Sequence, residues 1–194
     1  MEITSVQLKE LREKTGISVM QCKTALVEAG GDMDKALIIL KKKRSEAAEK
    51  KSDRELAAGS VGVYIHNTNE VAAMVLLGCE TDFVAKNPEF ITLAKEIAMQ
   101  VAATAPTFIS RSEVSEEIIQ KAKEVFAPEL EGRPEEMKEK IMEGKVSAYF
   151  RDQILFEQPF IKNPDVTISE MVTGAVQKFG ENISVLKISR VSVK

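Results

Sequence analysis

The chain has 194 residues, of which 44% are hydrophobic and 29% are charged, and its formal net charge at pH 7 is −3. This balance is typical of a folded globular protein and excludes a largely disordered chain. The small negative charge gives no global indication of binding to nucleic acid or to an anionic membrane. No apolar run approaches the roughly 20 residues that cross a bilayer. The start, Met1-Glu2-Ile3-Thr4, lacks a signal peptide's basic and apolar parts. We therefore expect a cytoplasmic protein with reduced cysteines.

Three short helical patterns open the chain. Their predicted N-caps are Ser5, Ser18 and Asp32. Thr15-Gly16 and Gly30-Gly31 are predicted to end the first two helices, because glycine readily takes the left-handed conformation beyond a helix end. The apolar sides of the three helices carry Val6, Leu8 and Leu11, then Met20, Cys22, Ala25, Leu26 and Ala29, then Met33, Ala36, Leu37 and Leu40. Residues 1–40 are therefore predicted to form a compact three-helix bundle.

A strongly charged segment follows the bundle. Residues 41–54 contain seven Lys and Arg residues and no Val, Ile, Leu, Met or aromatic residue. Such a segment has no apolar face to bury, so residues 41–58 are predicted to be a solvated, partly helical linker. The alternative is a basic arm that binds RNA. Interleaved acids and the lack of aromatic side chains for base stacking argue against direct nucleic-acid binding.

The hydrophobic period changes from helical to two at Val61. Val61, Val63 and Ile65 alternate with Gly62, Tyr64 and His66, which predicts a half-buried strand. Residues 67–70 have turn chemistry. The almost wholly apolar run 71–79 predicts a second strand, covered on both faces, so that the two strands form a hairpin.

The remaining patterns are mainly helical. Asn87 is the predicted N-cap of a long helix, with Pro88 at its first position and Pro106 beyond its end. Further helices are predicted over residues 115–127, 134–143, 145–155 and 167–179, before a closing strand over residues 183–193. We therefore predict an α+β fold, in which the N-terminal bundle precedes a core domain, residues 59–194, whose small antiparallel sheet packs against helices.

The sequence shows no catalytic constellation. His66 is the only histidine, and neither a phosphate-binding glycine loop nor a nucleophile motif is present. We therefore predict no metal site and no cofactor. The missing motifs favour a binding protein over an enzyme.

The short connection between the second strand and the long helix contains an unusual aromatic residue. Phe83 follows Thr81 and Asp82 and precedes Val84, between two well-anchored elements that would hold it rigidly. Composition alone favours a core position, because most Phe side chains are buried. The alternative is a protruding aromatic wedge with an acid beside it.

Four blocks of the sequence resemble the signature blocks of the elongation factor Ts family. The most specific block is Cys79-Glu80-Thr81-Asp82-Phe83-Val84-Ala85-Lys86-Asn87, followed by Phe90. The opening block is Leu11-Arg12-Glu13-Lys14-Thr15-Gly16, followed by Met20, Cys22-Lys23 and Ala25-Leu26. The later blocks are residues 156–162 and 178–183. They occur in the family's order and span nearly the whole chain.

The resemblance implies a guanine-nucleotide exchange factor without covalent chemistry, whose partner is the GTPase elongation factor Tu. Residues 1–40 would be a ubiquitin-associated-like (UBA-like) bundle that contacts the partner's nucleotide domain. The positions matching that contact are Arg12, Gly16, Ile17, Val19, Met20, Cys22 and Lys23. The positions matching the family's wedge, which disturbs the partner's Mg²⁺ and phosphate site, are Thr81, Asp82, Phe83 and Val84. The core sheet and later helices would hold the partner's distal domain.

The chain departs from the family pattern at three places. Ser18-Val19 and Gln21 stand where many members carry Gly-Met and Asp, and Leu186-Lys187 stands where members often carry two arginines. The chain also lacks a second core repeat and a coiled-coil insertion. Because short members compensate by dimerising, the resemblance suggests a homodimer and a two-plus-two complex with the partner. The alternative function is a non-enzymatic helper that binds other partners through the UBA-like bundle.

Overall fold

The computed structural model describes residues 3–130 and 134–193. In this part of the chain the α-helices are α1 Ser5–Thr15, α2 Val19–Glu28, α3 Met33–Glu49, α4 Asp82–Ala85, α5 Pro88–Thr104, α6 Glu116–Phe126, α7 Glu135–Arg151 and α8 Ile168–Phe179. The strands are β1 Ala58–Ile65, β2 Val71–Cys79, β3 Pro159–Phe160, β4 Asn163–Thr167 and β5 Ile183–Ser192. They form two compact units. Unit 1 comprises Met1–Glu55 and Thr173–Ile183, and unit 2 comprises Leu56–Val172 and Ser184–Lys194.

The caps of the first three helices follow the sequence closely, with one correction. Thr4, not Ser5, is the N-cap of α1. Its hydroxyl accepts a hydrogen bond from the Gln7 amide at 3.2 Å, and the Gln7 side chain accepts one from the Thr4 amide at 3.1 Å. This reciprocal capping box satisfies two amides that have no partner inside the helix. Ser18 and Asp32 cap α2 and α3 as predicted, and Gly16 ends α1 with φ at +66°.

The core of unit 1 contains most of the predicted apolar residues. Its buried members are Leu11, Ile17, Cys22, Ala25, Leu26, Ala36 and Leu40. Val6 and Met20, which the helical pattern placed on apolar sides, are exposed instead. The helix α3 continues without a break to Glu49, through most of the basic segment.

The last part of α8 completes unit 1. The guanidinium of Arg44 donates hydrogen bonds to the Gln177 side chain at 3.2 Å and to the Thr15 carbonyl oxygen at 3.3 Å. The side-chain amide of Asn182 donates to the Ser52 and Arg54 carbonyl oxygens at 3.2 and 2.8 Å. Residues from the two ends of the chain therefore build one unit together.

Unit 2 contains a three-stranded sheet in the order β1-β2-β5, with β1 and β2 antiparallel. The helix α5 packs on one face, where Phe90, Ala94, Ile97, Ala98 and Val101 are buried as the sequence predicts. On that face β1 presents Gly62, and β2 presents Ala73, Val75, Leu77 and Cys79.

The opposite face of the sheet is apolar and exposed. It carries Val61, Val63, Ile65, Met74, Leu76 and Leu186, which we call the outer sheet face. The sequence correctly predicted a half-buried β1, whose Gly62 side faces the core, but it predicted that β2 is covered on both faces, and that expectation is wrong because Met74 and Leu76 are exposed. The small residue Gly62 allows α5 to approach the other face closely, so the larger side chains of β1 point away from the helix.

The remaining elements of unit 2 include a second hydrophobic cluster and an unpredicted hairpin. Helices α6 and α7 surround Val114, Ala122, Val146, Phe150 and Ile154. The helix α7 runs unbroken through Gly144, where the sequence predicted two helices. The strands β3 and β4 pair antiparallel. They were not predicted. Together, these elements confirm the α+β fold with a small sheet packed against helices.

The hairpin is held by a buried amide pair. Gln100 is fully buried and donates to the Gln158 side chain at 3.0 Å and to the Pro159 carbonyl oxygen at 3.2 Å. Its own oxygen accepts a hydrogen bond from the Ile161 amide at 2.9 Å. Because buried polar groups are costly unless paired, this set of bonds fixes the hairpin against α5.

Candidate partner-binding site

The connection between β2 and α5 forms a short, capped turn that we call the Phe83 turn, residues 80–86. The hydroxyl of Thr81 accepts a hydrogen bond from the Val84 amide at 3.4 Å and thereby caps α4. The side chain of Asn87 then caps α5 by accepting from the Glu89 amide at 2.9 Å. Because α4 and α5 each begin at their own N-cap, the turn is a separate element between β2 and α5.

The Phe83 turn is anchored on its inner side. The side chain of Val84 is only 4% exposed, and Ala85 is also buried. The hydroxyl of Ser60 in β1 donates a hydrogen bond to the Ala85 carbonyl oxygen. The Cys79 thiol donates to the Thr81 carbonyl oxygen at 3.2 Å. These contacts tie both ends of the turn to the sheet, so its backbone is held in place.

Phe83 itself points away from the protein. Its side chain is 82% exposed, the largest exposure among the exposed large hydrophobic residues of the described chain. Leaving an aromatic ring in water forgoes the roughly 1.5–3 kcal/mol that its burial would contribute. A rigidly mounted, solvent-exposed ring therefore favours contact with another molecule over a role in the protein's own core.

Asp82 carries a charge beside the exposed ring and is paired on the surface. The Lys86 ammonium donates a hydrogen bond to its carboxylate at 2.7 Å. This hydrogen bond, followed by the Coulombic attraction of the same ammonium, lowers the pKa of the Asp82 carboxyl below its ordinary value. The carboxylate is therefore ionised at neutral pH. Sequence reasoning missed this pair, although the spacing of four residues on a helical turn indicates it.

The residues matching the family's N-terminal contact divide into exposed and buried positions. Arg12, Gly16, Val19, Met20 and Lys23 are exposed, and Met20 reaches 74%. Ile17 and Cys22 are buried in the core of unit 1, where the Cys22 thiol donates to the Ile17 carbonyl oxygen at 3.7 Å. The exposed residues are available for contact, and the two buried ones support the loop that presents them.

No group of three or more His, Cys, Asp or Glu side chains that suits a metal ion occurs within residues 3–130 and 134–193. Over the same ranges, no helix is both long enough and apolar enough to cross a membrane.

Comparison with known proteins places this chain among the elongation factors of protein synthesis. The family model described as "Elongation factor TS" matches residues 41–194. An elongation factor Ts of Thermodesulfovibrio yellowstonii is 46% identical over 194 residues, covering 100% of this chain and 97% of the relative. Those of Heliobacterium modesticaldum and Fervidobacterium nodosum are 46% and 42% identical, covering 97% and 100% of this chain and 88% and 99% of the relatives.

The chain belongs to the elongation factor Ts family. Members of this family act as nucleotide exchange factors for elongation factor Tu. The resemblance that the four sequence blocks carry is thereby confirmed.

Proposed function

We propose that this protein releases GDP from elongation factor Tu by inserting Phe83 next to the partner's Mg²⁺ and phosphate site, which allows GTP to be loaded during translation elongation. The observation that carries the proposal is the exposure of Phe83 on a turn whose Val84 and Ala85 are buried. An aromatic ring on an anchored base can push into a neighbour without collapsing back onto its own protein.

The free energy of nucleotide binding sets what this mechanism has to overcome. GTPases of this class hold the nucleotide through phosphate contacts and Mg²⁺, and a nanomolar complex corresponds to about 12 kcal/mol. An exchange protein that binds the nucleotide-free partner more tightly than the loaded partner weakens nucleotide binding by the same ratio of affinities. Insertion of Phe83 supplies this difference in affinity. Packed interiors change between discrete arrangements, so the inserted ring shifts the partner's interior away from the arrangement that holds the nucleotide. Asp82 then competes for polar groups around the cation.

The N-terminal bundle forms the second contact in this proposal. Val19 and Met20 supply an exposed apolar pair, and Arg12 and Lys23 supply positive charge. Ile17 and Cys22 pack underneath and keep this surface in shape. We divide the chain accordingly into a UBA-like bundle, residues 1–40, a charged connection, residues 41–58, and the core domain, residues 59–194.

The protein forms and breaks no covalent bond in this scheme. Its contribution is to lower the barrier to nucleotide release, which is a rearrangement of noncovalent contacts. Each molecule of factor leaves the partner when GTP binds and then acts again, so a small amount of factor serves an excess of partner.

A second copy of the chain covers the outer sheet face. This face is apolar across β1 and β2 and continues onto β5 at Leu186, whose side chain lies beside Gly78. Two such faces related by a two-fold axis would pack as a sandwich, the common way in which sheets bury apolar faces. A dimer of this kind, binding one partner per subunit, gives a two-plus-two complex. The later helices of the core, rather than the sheet, then hold the partner's distal domain.

The test is a multiple-turnover exchange experiment. Elongation factor Tu is loaded with fluorescent GDP, a sub-stoichiometric amount of the protein is added with excess GTP, and the loss of fluorescence is followed. Acceleration of release for more partner molecules than there are factor molecules supports exchange. Release at the spontaneous rate, whatever the factor concentration, rejects the proposed function.

A further inference from the structure

The ion pair between Asp82 and Lys86 flanks the exposed ring of Phe83. The two charged atoms are 2.7 Å apart, and their side chains are 76% and 78% exposed. Lys86 is the C-cap residue of the four-residue helix α4, and Asp82 is its first residue. The pair therefore closes across the same turn that carries the ring.

The stability of the fold does not explain this pair. Exposed ion pairs contribute little to stability, because both groups are already well solvated and holding them in one geometry costs side-chain entropy. The turn is already fixed by buried Val84 and by the hydrogen bond from Ser60 to Ala85. Lys86 acts instead on Asp82. Its ammonium holds the Asp82 carboxylate in one orientation and balances its charge.

The balance of charge matters most when water is excluded from the turn. If Phe83 enters a partner, Asp82 is carried with it into a drier environment. Desolvation of an unpaired carboxylate is costly there, whereas desolvation of a carboxylate that keeps an ammonium partner costs much less. Lys86 therefore gains importance at the moment of insertion, not in the free protein.

We propose, on the basis of the proposed function, that Lys86 is a positioning residue for nucleotide exchange, which orients and charge-balances Asp82 as Phe83 enters the partner. Because the pair acts during insertion, its loss lowers kcat for exchange more than it raises KM. Initial docking is supplied by the N-terminal bundle, which does not include this pair.

A double-mutant cycle tests this role. Lys86→Met removes the charge and keeps the length of the side chain, and we expect it to lower kcat about five-fold, which corresponds to an interaction free energy of ~1 kcal/mol. In an Asp82→Asn background the same substitution should have no further effect. Lys86→Arg should restore most of the activity. The thermal midpoint should stay within about 2 °C of the wild-type value, as expected for exposed residues.

The control is Lys42→Met. Lys42 forms an ion pair of the same i, i+4 kind with Glu46 on α3, at 3.9 Å and with exposures of 77% and 51%. It lies in the charged connection, which makes no proposed contact with the partner, so this control should leave exchange unchanged. An equal loss from Lys86→Met in both backgrounds, no loss at all, or a loss matched by Lys42→Met would overturn the proposal. Lys86→Gln replaces Lys86→Met if the latter folds poorly.

Failure of the proposed function looks different. In that case the wild-type protein itself does not accelerate release, and Phe83→Ala changes nothing. Full wild-type activity combined with an unaffected Lys86→Met variant rejects only the role of Lys86.

Discussion

Gly62 in β1 lies directly against the backbone of Ala94 in α5. A Cβ atom at Gly62 would lie 2.1 Å from the Ala94 carbonyl oxygen, and that oxygen belongs to a helical backbone that cannot rotate away. The closeness of sheet and helix in unit 2 therefore depends on the missing side chain at this position.

Gly62→Ala is predicted to destabilise the protein strongly. Helix and sheet must separate to make room, which opens the core around Phe90 and Ile97. We expect a loss of about 3 kcal/mol or more in the free energy of unfolding, measured by chemical denaturation. The control is Gly144→Ala in α7, where a Cβ atom meets nothing within 4 Å. That variant should gain about 0.5–1 kcal/mol, because alanine favours the helix. Equal effects of the two substitutions would contradict this packing.

Gln100→Leu is predicted to loosen the hairpin of β3 and β4. The substitution leaves the Ile161 amide and the Pro159 carbonyl oxygen without their buried partner, at an expected cost of about 3 kcal/mol. Hydrogen exchange of the Ile161 amide should accelerate more than that of amides in α5. Gln120→Leu, at an exposed position of α6, should change stability by less than about 0.5 kcal/mol. Unchanged protection at Ile161 would show that the amide pair does not hold the hairpin.

Met20→Ala is predicted to weaken binding to elongation factor Tu without affecting the fold. Met20 is exposed in the free protein, so its truncation costs nothing in the core, whereas burial of a methionine in a complex contributes about 1.5–3 kcal/mol. We expect KM for exchange to rise about ten-fold with little change in kcat. Val6→Ala, at an exposed apolar position on α1, serves as the control. A drop in kcat with constant KM would place Met20 elsewhere in the mechanism.

Charges placed on the outer sheet face are predicted to produce monomers. Val63 and Met74 lie opposite each other in the register of β1 and β2, and both are exposed. The double substitution Val63→Glu and Met74→Glu sets like charges side by side where a second copy would pack. Light scattering should show the mass fall from two chains to one, while Val125→Glu on α6 keeps the dimer. A wild-type mass of one chain would reject the proposed dimer.

The sequence predicted the positions of the helices and strands better than it predicted which of their faces are buried. Alternation over residues 61–65 correctly predicts a strand, but a period of two does not determine which face meets the core. Here the choice depends on Gly62, whose small size lets α5 approach closely. The sequence predicted a half-buried strand without assigning its buried side, and the structure places Gly62, rather than Val61 or Val63, on the core side.

Long-range contacts account for the other differences. The strands β3 and β4 are short and contain prolines, so local patterns do not indicate them, and their position depends on Gln100, some sixty residues earlier. For Phe83, composition favoured the core and the family resemblance favoured exposure. In the structure Val84 and Ala85 anchor the turn, and the neighbouring ring of Phe83 remains outside.

The most direct measurement is the rate at which elongation factor Tu releases GDP in the presence of the Phe83→Ala variant. Removing the ring should lower factor-stimulated release about 100-fold, equivalent to ~2.7 kcal/mol of lost transition-state stabilisation. The unfolding midpoint should not change, because the ring is exposed. Val6→Ala, another truncation at an exposed apolar position, should leave factor-stimulated GDP release at the wild-type rate. Wild-type exchange by Phe83→Ala, or unfolding of that variant, would contradict the role of this ring in displacing the nucleotide.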